Sequence, residues 1–279
     1  MDMPPAGFSE MPAAPRRAEG GGRLRHLRRQ MEDLARRPGA HRPALPFGLP
    51  DLDRHLPGGG LRCGALHEVG EAGLSADHAA LSALFAAAIV ARLPGPVLWC
   101  LRGRDLFAPA LVSVGLSPGR IVFAETWSDA EVLPAMEEGL RSRGLAAVVG
   151  EASRLGLTAS RRLQLAAERS GALTVVIRRR RRAAAQGESG GESGDEPSAA
   201  LTRWRVSPQP GTGPPRFGLS MPGLPRARWL VELTRARGAD APRSWILDAP
   251  DATGRLRLPA DLVHRPLAAA QRPLRARVG

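Results

Sequence analysis

The chain has 279 residues, 43% of them hydrophobic, which is enough to bury a real core and excludes a wholly disordered protein. Forty basic residues against 27 acidic ones give a formal charge of +13, so the surface is expected to seek polyanions, either nucleic acid or an acidic protein face. Two cysteines, Cys63 and Cys100, exclude a disulfide framework, and the longest apolar run, from Ala79 to Leu93, falls short of the roughly 20 residues of a bilayer crossing, so a cytoplasmic setting is expected.

Residues 1–22 are rich in Pro, Gly, Ala and Glu without apolar periodicity and read as a disordered leader. From Arg23 to Arg37 the apolar Leu24, Leu27, Met31 and Leu34 recur at three- and four-residue steps, which predicts an amphipathic helix with an arginine-rich outer face, closed by Pro38-Gly39. Residues 23–44 therefore form a basic helix and linker ahead of a folded unit spanning 45–258. A turn-rich stretch from Leu45 to Leu61 leads into a strand at Ala65–Val69, a loop at Gly70–Ala76 and a long Ala/Leu helix from Asp77 to Arg92. Further strands are predicted at Pro96–Leu101, Arg120–Ala124, Leu145–Val149 and Ala172–Ile177. Helices at Phe107–Val114, Asp129–Arg143 and Ser160–Ser170 separate them. Strands alternating with helices argue for an α/β fold with a mostly parallel sheet flanked by helices. Five consecutive arginines, Arg178 to Arg182, then run into a Gly/Ser/Glu segment, so residues 178–199 read as a flexible loop. Strands at Leu201–Val206, Trp229–Leu233 and Ser244–Asp248 are expected to extend the sheet in antiparallel fashion, and residues 259–279 form an irregular tail.

The run Phe47-Gly48-Leu49-Pro50-Asp51-Leu52-Asp53, followed by Gly58 to Gly60 and Leu61 to Gly70, resembles the segment that leads RecA-type recombinases into their phosphate loop. Among such proteins an arginine-rich, lysine-free chain of this length is similar to the ImuA family of mutagenesis accessory proteins. The resemblance covers Pro46 to Val206 and implies a RecA-like core that assists translesion synthesis after DNA damage. It also implies partners: an ImuB-like, polymerase-related protein, an error-prone C-family DNA polymerase and RecA itself.

A working phosphate loop reads G-x-x-x-x-G-K-[ST], because glycine backbones wrap the phosphates, the lysine neutralises them and the hydroxyl holds magnesium. Here Gly70 keeps the first glycine, but Ser75 stands for the second, Ala76 for the lysine and Asp77 for the hydroxyl. No arginine has replaced the lysine, the nearest basic residues along the chain being Arg62 and Arg92. Glu71 and Asp77 add negative charge where a triphosphate would lie. The resemblance also places Gly103 at the catalytic glutamate position and Gly150 at the metal-associated aspartate position, with Glu151 beside it read as a surface or loop carboxylate. The expectation is a non-catalytic protein without cofactor. His55, His67 and His78 lack metal-ligand spacing and are read as core or surface histidines.

In RecA-type folds the loop after the fifth strand contacts single-stranded DNA, which by resemblance assigns Arg178, Arg179, Arg180, Arg181 and Arg182 to phosphate contacts. Aromatic residues near that block are scarce. Trp204 is the nearest, and with Trp229 and Trp245 it is expected in the core, so binding would be led by the phosphate backbone. Partner docking is assigned to Leu27, Met31 and Leu34 of the N-terminal helix and to Leu262, Val263 and Leu267 of the tail. Two alternatives stay open: a nucleotide-binding ATPase of the RecA superfamily, and a SulA-type cell-division inhibitor.

Overall fold

The structure is a computed structural model that describes residues 44–73, 76–103, 106–180, 196–210, 227–239 and 241–259. The predicted helix Arg23–Arg37 and the tail beyond residue 259 lie outside these residues, as do Arg181 and Arg182. Strands β1 (Ala44–Leu45) and β2 (Leu61–Arg62) pair as a small antiparallel ribbon around a short helix α1 (Pro50–Asp53). The main sheet is built from β3 (Leu66–Glu71), β4 (Val97–Arg102), β5 (Ile121–Thr126), β6 (Ala147–Ala152), β7 (Leu173–Arg178), β8 (Thr202–Gln209), β9 (Arg228–Ala236) and β10 (Arg243–Asp248). Between them run α2 (Ala76–Ala91), α3 (Ala108–Ser113), α4 (Asp129–Arg141) and α5 (Leu157–Ser170).

The order across the eight-stranded sheet is β10-β9-β8-β3-β7-β6-β4-β5. The five strands from β3 to β7 are parallel to one another, as the alternation of strands and helices predicts. The expected antiparallel extension is corrected in one respect: β8 runs parallel to β3, and the antiparallel pairs are β8 with β9 and β9 with β10. The long connection between β7 and β8 permits a parallel return that a hairpin would forbid, whereas the short turn between β9 and β10 enforces the reversal.

Because successive strand residues point to opposite faces, two cores form. Val69, Trp99, Val149, Val175 and Trp204 face one side, where they meet Phe85 and Ile89 of α2. Leu66, Cys100, Val148 and Val176 face the other, against Val132, Met136 and Leu140 of α4 and Leu163 of α5. Helix α2 fits closely because Ala86, Ala87 and Ala88 are fully buried and let it approach the sheet. On the opposite face Gly150 does the same for α4, since a methyl there would collide with the Met136 sulfur. The stretch Leu45–Leu61, read as turns, carries more of the core than its composition suggests. Phe47, Leu49, Leu52, Leu56 and Leu61 are buried, and Phe47 stacks on Phe85 and lies against Trp204. Asp53 fixes this bend by accepting the amide protons of Phe47, Gly48 and Leu49. As expected, Trp204 and Trp229 are buried, and Trp245 is partly buried against the same core.

Candidate functional site at the strand ends

The carboxyl ends of the parallel strands are where α/β sheets place their sites, and here they carry an unusual density of charge. Strand β3 buries three polar side chains, His67 and the carboxylates of Glu68 and Glu71, both of the latter nearly fully buried. Buried carboxylates need partners. They find them through the two-residue period of β7, which sends consecutive arginines to opposite faces of the sheet.

Arg178 is part of β7, not of the following loop, and is 7% exposed. It lies on the α5 face, where its Nη1 is 3.6 Å from the Glu68 carboxylate and its Nη2 is 3.5 Å from Glu196. Arg203 of β8 completes this group, its Nε 3.1 Å from Glu68 Oε2, and the Ser198 hydroxyl donates to Glu68 Oε1. Arg179 lies on the α2 face. Its Nε is 3.1 Å from Glu71 Oε1 and its Nη1 is 2.7 Å from Glu151 Oε2, so it bridges the ends of β3 and β6. Glu71 Oε2 accepts the Arg180 amide proton at 2.7 Å, and Glu151 Oε1 accepts the Trp99 indole proton at 2.8 Å. Burial pushes the Glu71 carboxyl upward, opposed by the Arg180 amide and the Arg179 charge.

Several expectations are corrected by this geometry. Glu151 is not a surface or loop carboxylate: β6 runs on to Ala152, so Glu151 is inside the strand, 5% exposed and ion-paired. Gly150 is likewise inside β6, against Met136. Gly70 belongs to β3, paired with Arg178 and Arg205, rather than opening a loop. The flexible loop read at 178–199 is ordered at both margins, because Ser198 and Ala199 are buried as well as Arg178. Of the block assigned to phosphate contacts, Arg178 and Arg179 are engaged with internal carboxylates, and Arg180 is exposed.

In the segment that resembles a phosphate loop, Ser75 and the Ala76 side chain lie outside the described residues. Asp77 is exposed in the first turn of α2, where a carboxylate meets the helix dipole and opposes an incoming phosphate. The His78 ring lies over Gly73, where a methyl would come within 2.5 Å of it. The cleft between these strand ends has a volume of about 40 Å³ and is lined by five arginines and two glutamates, with Ser153, Trp204 and Thr234. Small-molecule sites usually measure roughly 300–1,000 Å³. Among the described residues no group of three or more His, Cys, Asp or Glu side chains could hold a metal ion, and no helix is long and apolar enough to cross a membrane. Cys63 and Cys100 are both buried, which raises both thiols, Cys100 to about 12.

Sequence reasoning found the arginine block but missed its partners. The available signal was the pair of carboxylates, Glu68 and Glu71, in a strand at the centre of the sheet. It also missed Trp127, 93% exposed at the end of the edge strand β5.

No family model matches the chain. Two curated relatives, each called Protein ImuA, come from Caulobacter vibrioides strains NA1000 / CB15N and ATCC 19089 / CIP 103742 / CB 15. Each is 40% identical over 241 residues, spanning 82% of this chain and 94% of the relative. A match of that identity along nearly the whole relative means that the chain belongs to the ImuA family.

Proposed function

We propose that the protein is a non-catalytic accessory factor in damage-induced mutagenesis, which joins an ImuB-like polymerase-related protein and an error-prone C-family polymerase and touches DNA through its strand-end arginines. Membership of the ImuA family supports the mutagenesis role. The observation that carries the non-catalytic reading is the Glu71–Arg179–Glu151 bridge: the cation at the ends of β3 and β6 is already committed to two internal carboxylates, beside a cleft of only about 40 Å³. Arg180 is left exposed beside it, in a chain of charge +13, to meet phosphates. Partner docking is proposed for Leu27, Met31 and Leu34 and for Leu262, Val263 and Leu267, apolar residues set among arginines.

The test is Mg-ATP binding and hydrolysis at millimolar nucleotide, with and without single-stranded DNA. Neither binding nor turnover is expected, and DNA-stimulated hydrolysis would overturn the reading. For docking, Leu27→Asp with Leu34→Asp, and separately Leu262→Asp with Leu267→Asp, are expected to reduce co-purification of a co-expressed ImuB-like protein while thermal unfolding stays unchanged. Full retention in both variants would remove both segments from the proposal.

A further inference from the structure

The carboxyl ends of the parallel strands form a row. From β7 to β5 it carries Arg180, Arg154, Arg102 and finally Trp127, each at or just beyond the end of its strand, with Arg205 inside β8 opposite Gly70. Arg180, Arg154 and Arg102 are exposed and Arg205 is half-buried. The row is continuous in the backbone. The Arg179 amide donates to the Ala152 carbonyl, and the next residue, Ser153, is bound through its amide and hydroxyl to Asp129 at the start of α4. Arg102 pairs in register with Thr126, so Trp127 follows at the neighbouring strand end. From β7 to β5 is three strand spacings, about 14 Å.

Trp127 is the feature that needs a reason. Of the five tryptophans, Trp99, Trp204 and Trp229 are at most 2% exposed and Trp245 is partly buried, whereas Trp127 is 93% exposed. Its backbone is nevertheless fixed: its amide donates to Glu131 at 2.9 Å, and the Thr126 hydroxyl bridges across to the Ser128 carbonyl. A pinned backbone carrying a bare indole is preorganised for a flat partner. Asp129 and Glu131 are each held by hydrogen bonds, to Ser153 and to the Trp127 amide, so the attraction for phosphates comes from the arginines of the row and the indole supplies a flat apolar face.

We infer that Trp127 is a base-stacking platform at the end of this arginine row, so that single-stranded nucleic acid crosses the strand ends with its phosphates on Arg180, Arg154 and Arg102 and a base on the indole. The inference rests on the proposed DNA contact and adds its path and its aromatic anchor. Guanidinium groups interleaved with an exposed aromatic ring suit single strands, whose unpaired bases offer a flat face regardless of sequence.

Trp127 is the one widely exposed tryptophan, so the intact protein reports on itself. Fluorescently labelled oligo-dT is titrated by anisotropy over a range of salt, and intrinsic fluorescence is followed with unlabelled oligo-dT. Wild type is expected to bind with quenching of tryptophan emission. Trp127→Ala should abolish the quenching and weaken binding by about tenfold or more without changing the salt slope. Trp127→Phe should restore much of the affinity. Arg102→Gln should lower the salt slope by about one. Oligo-dT binding that is unquenched and indifferent to Trp127→Ala would overturn the stacking site and leave the DNA contact standing. No binding by wild type at any salt would overturn both. Unchanged DNA binding with loss of a co-expressed ImuB-like partner in Trp127→Ala would also overturn the inference, giving the indole to a protein interface.

Discussion

His67 sits in β3 with its ring wholly buried. Its Nε2 proton is donated to the Arg62 carbonyl at 3.0 Å, and its Nδ1 accepts the Thr202 hydroxyl at 2.7 Å, which in turn accepts the Trp204 indole proton. Burial lowers its pKa to about 4 from the usual 6.5, opposed by the bond to Arg62. The folded state therefore binds this proton less readily than the unfolded chain. The stability it supports is complete above about pH 6.5, falls as the pH drops toward 4 and levels off below that. The loss is on the order of 3 kcal/mol. Glu71 opposes it, since its raised pKa makes the folded state take up a proton earlier. Urea unfolding at stepped pH is expected to show the fall, and His67→Gln to flatten it. A second change at this scale is Gly150→Ala, whose methyl would meet Met136 and which is expected to cost about 1–3 kcal/mol in the same assay. None of this was legible in sequence. His67 looked like any histidine without metal spacing, and Gly150 looked like a lost aspartate, because the packing of α4 against β6 is invisible until the two are brought together.

At the scale of elements, the informative one is the end of β7. Five arginines in a row read naturally as a solvated loop, yet the strand continues into Arg178 and its alternation sends Arg178 and Arg179 to opposite faces. The consequence is a split in mutant behaviour. Arg179→Gln leaves the buried Glu71 and Glu151 without their shared cation and is expected to cost about 2–4 kcal/mol in urea unfolding, discounted because Arg179 is itself partly exposed. Arg180→Gln is expected to leave unfolding unchanged and to lower the salt slope of single-strand binding. Equal stability loss in both variants would contradict the division. The parallel core strands and their helices were legible, because buried strands read as unbroken apolar runs. What escaped was β8 pairing parallel to β3, since pairing partners more than 130 residues apart, such as His67 and Thr202, leave no local trace.

The molecule as a whole joins a sheet covered on both faces to a small cleft in which Arg178, Arg179 and Arg203 are held by internal glutamates. A ligand that binds only the folded state raises its melting temperature by mass action. Millimolar Mg-ATP is accordingly expected to leave the melting temperature of this protein unchanged in differential scanning fluorimetry, and a clear upward shift would contradict the reading of the cleft. The two thiols, with Cys100 at about 12, are expected to resist thiol reagents until the chain unfolds. The strand order also bears on how the chain is made. Strand β3 is the first long strand to emerge, but its neighbours are β7 and β8, so both of its hydrogen-bonding edges stay open while the whole intervening sequence is synthesised. A nascent chain stalled after Arg180 would expose the β8-facing edge of an apolar strand, an invitation to aggregate that only the last third of the sequence withdraws.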